Sequence, residues 1–67
     1  MTTNRKYKVQ VLNNEGQWIS FENLDWEQAA EATREAEKAN QSIRVDEVVV
    51  SRHRLTRAEF YSREGES

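Results

Sequence analysis

Leu24-Asp25-Trp26-Glu27-Gln28-Ala29-Ala30-Glu31-Ala32-Thr33-Arg34-Glu35-Ala36-Glu37-Lys38-Ala39-Asn40 is the stretch that decides the fold. Asp25 stands at an N-cap position, and Gln28 follows at the spacing of a capping box, each side chain able to satisfy the other's backbone N–H. Trp26, Ala29, Ala30, Thr33 and Ala36 then recur at helical intervals, so the buried face is thin. Leu24 and Ala29 hold the hydrophobic-staple positions, and Asn40 suits the left-handed residue that ends a helix. The opposite face carries Glu27, Glu31, Arg34, Glu35 and Lys38. Its i,i+3 attractions and i,i+4 repulsions are each worth about 0.2–0.5 kcal/mol and largely cancel. A helix over Trp26 to Ala39 must therefore owe its stability to packing, and an alanine face lets it lie close to a sheet.

Segments on both sides supply that sheet. Lys6 to Leu12 alternates, with Tyr7, Val9 and Val11 on one side and Lys6, Lys8 and Gln10 on the other, the pattern of a half-buried strand. Asn13-Asn14-Glu15-Gly16 has turn chemistry, and Gln17 to Phe21 returns as a second strand with Ile19 and Phe21 opposite Trp18 and Ser20. After the helix, Ile43 to about Arg54 reads as a third strand centred on Val48-Val49-Val50. Three consecutive valines break alternation, which implies either cover on both faces or a bulge near Asp46-Glu47. Leu55 to Tyr61 admits two readings. Thr56 and Glu59 have capping-box spacing and favour a short helix, whereas Thr56, Ala58 and Phe60 also alternate as a strand would.

The resulting expectation is an α+β fold, ββαβ, with a three-stranded antiparallel sheet of order 2-1-3, one α-helix on one face and a short C-terminal helix as an option. The 67 residues suit a single domain, with 1–4 and 62–67 as flexible tails. The helix should cover Tyr7, Val9, Val11, Ile19 and Phe21. Leu12, Trp18 and at least one valine remain on the other face, too apolar for open water, so Phe60 and Tyr61, a second protomer or a partner should sit there.

Composition narrows the chemistry. The chain has no cysteine, which removes disulfides and thiolate metal sites, and its single histidine is His53. Ser51 and His53 share a strand face, but a hydrolase also needs an orienting carboxylate and oxyanion donors, and none can be named. Glu27, Glu31 and Glu35 make a solvated acidic stripe without the oxygen cage that calcium requires. The two glycines, Gly16 and Gly65, do not form a phosphate loop. No catalytic residue, cofactor, metal or small-molecule substrate is therefore assigned. No apolar run reaches the roughly 20 residues that span a bilayer, which makes a cytoplasmic protein without membrane association the expectation.

Two functional classes remain. The first is a non-enzymatic interaction module, such as an accessory subunit, an adaptor or a phage-type inhibitor of bacterial or phage origin. It would be homodimeric or bound to another protein through the open sheet face or edge, with Leu12, Trp18, Val48, Val49, Val50, Phe60 and Tyr61 at the contact. The alternative is a small nucleic-acid-binding protein with Lys6, Lys8, Arg52, Arg54 and Arg57 on phosphates and Trp18 under a base. A net charge of −2 and a pI near 5.4 lack the dominant basic footprint of such modules, so protein binding leads.

Overall fold

A computed structural model describes residues 5–64. The elements run β1 (Lys6–Leu12), β2 (Trp18–Leu24), α1 (Trp26–Lys38), β3 (Ile43–Val48), β4 (Arg52–Leu55) and α2 (Arg57–Ser62). The class is α+β, and the sheet is antiparallel throughout. It has four strands in the order β2-β1-β3-β4, one more than the sequence pattern implies.

The extra strand comes from the valine run. β1 pairs with β3 in unbroken register from Val11↔Ile43 to Lys6↔Val48, so a straight continuation past Val48 runs beyond the paired length of β1. The chain instead turns through 49–51 and pairs Arg52–Leu55 back on β3, with Val45↔Leu55 and Val48↔Arg52. Leu55 thereby enters the core, while Val49 and Val50 are exposed at the turn, Val50 almost completely. Neither double cover nor a bulge at Asp46-Glu47 is needed. The sheet's irregularity lies in β2, where Val9↔Phe21 is followed by Tyr7↔Leu24, leaving one extra residue on β2. Asn23 takes a positive φ of 60° there. Because strand side chains alternate, that extra residue returns Leu24 to the same face as Phe21 and aims the chain into α1.

Local signals elsewhere are realised as written. Gly16 has φ 81° in the β1–β2 turn, where the Asn13 side chain accepts from the amides of Glu15 and Gln17, both at 2.9 Å. The Asp25–Gln28 capping box is present, and the buried residues of α1 are Trp26, Ala29, Ala30, Thr33 and Ala36. Thr33 is tolerated there because its hydroxyl donates to the Ala29 carbonyl at 2.8 Å. Asn40 has φ 56°, just past the C-cap Ala39. Thr56 and Glu59 form a second capping box, so the C-terminal segment is a helix rather than a strand.

The core lies between the sheet and both helices: Tyr7, Val9 and Val11 from β1, Val45 and Leu55 from β3 and β4, the α1 stripe, and Phe60 from α2. Phe60 is fully enclosed, stacked on Trp26 with ring centroids 5.2 Å apart and edge-on to Tyr7 at 5.5 Å. The Trp26 indole N–H donates to the Phe60 carbonyl at 2.9 Å, so this aromatic cluster also anchors the α2 backbone. Glu47, almost buried, receives Arg63 at 3.0 Å and Arg5 at 3.6 Å. Ser62, Arg63 and Glu64, expected as the start of a tail, are instead tied in: Ser62 closes α2 and Arg63 holds β3. The expected tail residues 1–4 and 65–67 lie outside the described residues. Among the described residues no helix is long and apolar enough to cross a membrane.

Candidate functional site

The least covered element is β2. A helix is about 10 Å across, whereas four strands spaced by about 4.8 Å span some 14 Å between their outer axes. α1 lies chiefly over β1, and α2 packs beside β4, so the helix layer stops short of β2. Six of its seven residues are exposed, and Leu24 is half-buried. Ile19 and Phe21, expected beneath the helix, keep 43 % and 44 % of their surface open. The cause is the alanine face itself: Ala32 and Ala36 bring α1 down close to β1 but do not reach across to β2.

A groove results between α1 and β2. At one end Val11, Ile19 and Ala36 line a depression of about 250 Å³, and at the other Phe21, Leu24 and Ala32 line one of about 370 Å³. Phe21, Ala32 and Glu35 are common to both, so the two form one shallow trough. Glu31 and Glu35 stand on its helical wall. Such volumes lie at the low end for small-molecule sites, and this trough is open along its length rather than enclosed. Its outer boundary is the backbone edge of β2, whose outward N–H and C=O groups have no strand beside them among the described residues.

The reverse face of the sheet gathers the cations. Register places Lys6, Val48 and Arg52 in one row, Lys8, Asp46 and Arg54 in the next, and Gln10 and Arg44 in a third. Trp18 lies on the same face beside Leu12, and the Arg44 guanidinium sits 4.0 Å from the centroid of its ring. Asp46 is almost buried beneath Arg52, at 3.6 Å, and Arg54, which is in direct hydrogen-bond contact. Four of the five basic residues singled out from sequence therefore do share a face: Lys6, Lys8, Arg52 and Arg54. Arg57 does not, because it starts α2 and pairs with Glu37 of α1. Arg44 was overlooked, although its place opposite the inward Ile43 and Val45 in an alternating strand signals that face.

The apolar contact set separates as well. Trp18 is on the reverse face as expected, with Leu12 and Val48 half-buried there. Val49 and Val50 belong to the β3–β4 turn. Phe60 offers no surface for a partner because it fills the core, and Tyr61 packs on the helix side, its hydroxyl donating to the Glu37 carboxylate at 3.3 Å. Burial and the nearby Glu37 charge push the Tyr61 phenol above its ordinary pKa. Neither residue covers the reverse face. The strand edges also differ from expectation: β3 is internal, and the edges are β2 and β4. Ser51 and His53 meet at 3.1 Å, but on an exposed hairpin. The carboxylate opposite His53 in register, Glu47, is held by Arg5 and Arg63. Among the described residues no three histidine, cysteine, aspartate or glutamate side chains are grouped to hold a metal ion.

Comparison with known proteins gives no matching family model, curated relative or solved structure.

Proposed function

We propose that this chain is a non-enzymatic protein–protein interaction module, of the accessory, adaptor or inhibitor kind, that takes up another polypeptide along β2. One observation carries the reading: a seven-residue edge strand leaves Ile19 and Phe21 exposed beside a trough floored by apolar side chains, with Trp18 exposed on its other face. Long apolar edges are usually blunted by charge, proline or a covering element, because their free backbone groups invite pairing. From Trp18 to Phe21, β2 carries no such device. Strand addition would satisfy those groups with backbone hydrogen bonds, while the trough selects side chains. Pairing of β2 with its symmetry mate in a homodimer belongs to the same reading.

The test is affinity capture from the native host with the wild-type chain and an Ile19→Ser/Phe21→Ser variant, joined to sedimentation of both. A bound protein or a dimer that is lost in the variant, with the fold intact by circular dichroism, is the expected result. Capture and mass unchanged by the variant would remove the edge from consideration.

A second reading rests on the cations of the reverse face around Trp18. Lys6, Lys8, Arg44, Arg52 and Arg54 give single-stranded nucleic acid a backbone track, and the indole gives it a stacking partner. Binding of a generic oligonucleotide should then weaken steeply between about 50 and 200 mM salt. Absence of binding at low salt would sink it.

A further inference from the structure

We infer that the trough beside β2 receives an extended segment of a different protein that points two apolar side chains, two residues apart, at Ile19 and Phe21 and flanks them with lysine or arginine. This inference rests on the edge-binding reading above and names the chemistry of its partner.

Spacing supplies the apolar part. Side chains two apart on a strand share a face and are separated by about 6.7 Å, the repeat that also separates Ile19 from Phe21 on β2. A strand laid along β2 in register therefore puts one inward side chain against Val11, Ile19 and Ala36 and the next against Phe21, Leu24 and Ala32. That pair sets one apolar side chain over each half of the trough.

Charge supplies the rest. The helical wall presents Glu31 and Glu35, and Glu35 borders both halves. Glu35 pairs with Lys38 at 3.8 Å, with both side chains largely in solvent, a contact too exposed to neutralise the wall. A lysine or arginine beside the apolar pair can lay its aliphatic stem along the apolar floor and raise its charged head to these carboxylates. A second copy of this chain fits less well. β2 itself, Trp-Ile-Ser-Phe-Glu-Asn-Leu, has no basic residue. Self-pairing would set the Glu31 and Glu35 of both copies against the same strip with no cation from either strand. Like charges facing one another across an interface suppress such a partner.

Two end-blocked heptapeptides test this. One has arginine at both ends, valine at its third and fifth positions and threonine elsewhere, so it reads the same in either strand direction. The other replaces both arginines with glutamate. Each is titrated into the ¹⁵N-labelled protein at low ionic strength, and the protein alone is sedimented at the same concentrations. The basic peptide should shift the amides of Ile19, Phe21 and Ala32 and bind about five- to tenfold more tightly than the acidic one, as expected for two exposed charge pairs. Glu31→Gln with Glu35→Gln should erase that preference while leaving the spectrum folded. Equal binding of the two peptides overturns the inferred charge rule. Binding by neither peptide, with a dimer that Phe21→Ser dissociates, overturns the different-protein assignment and keeps the edge as a self-association site. Binding by neither peptide with a strict monomer overturns the edge reading itself.

Discussion

The two flanks of this sheet are built from similar materials and finished differently. On the β3–β4 side, a six-residue helix brings Phe60 between Trp26 and Tyr7, and Arg63 and Arg57 fasten it to Glu47 and Glu37. On the β2 side, Ile19 and Phe21 have comparable apolar character but border only the open trough beside α1. Hydrophobic content alone therefore does not settle what is core. The position of the second helix does, and α2 closes one flank while leaving the other as a free edge.

Removing the finish on the closed flank should have the largest effect. Phe60→Ala deletes a fully enclosed ring and is expected to cost about 3–5 kcal/mol. That approaches the whole stability of a chain this short, for which about 3–10 kcal/mol is usual. Urea unfolding followed by tryptophan fluorescence would measure it, and a loss below about 1 kcal/mol would mean that α2 is not docked as described. Next, Trp26→Phe removes the indole donor from the Phe60 carbonyl, which keeps the Arg63 amide at 3.1 Å, and narrows the buried ring, for a loss of about 1–2 kcal/mol. The urea midpoint should fall with an unchanged slope.

Smaller effects follow at the cap of α2. Thr56→Ala removes the hydroxyl that accepts from the Glu59 amide at 3.1 Å, for a loss of about 1 kcal/mol. Acid should act at the same place. The Thr56 amide, and then its hydroxyl, hold the Glu59 carboxyl below its ordinary pKa of 4.5. A depressed carboxylate pKa contributes stability that is complete above the unfolded value and is lost as pH falls through the folded one. The cap should therefore be intact above about pH 4.5 and weaken progressively below it. Amide exchange at Phe60 and Tyr61 would report the change, which should be absent in Glu59→Gln.

The smallest effect on stability belongs to the open flank. Phe21→Ser is expected to change unfolding free energy by less than about 1 kcal/mol, because nearly half of the ring already faces water. If it destabilised the isolated chain as strongly as Phe60→Ala, the contrast between the flanks would be false and Phe21 would belong to the core.

Much of the architecture was legible residue by residue. α1, its capping box, its five buried residues and the β1–β2 turn depend on interactions within a few positions, so composition and spacing specify them. Lys6, Lys8, Arg52 and Arg54 share a face as alternation along a single third strand implied, but the two arginines reach it through the β3–β4 hairpin instead. The turn at 49–51 was not legible, since Val-Val-Ser has none of the glycine, asparagine or proline that marks a reversal. The described pairing of β3 with β1 ends at Lys6↔Val48, and Leu55 gains burial by folding back onto Val45.

The candidate site divides along the same line. Which residues are apolar, which are charged and which side of each strand they share can be read along the chain, because strand faces follow from a period of two. That Phe60 is interior and Phe21 is not depends on packing between elements distant along the chain. Both are aromatic residues at plausible core positions, and what separates them is where the two helices come to rest, α1 chiefly over β1 and α2 beside β4.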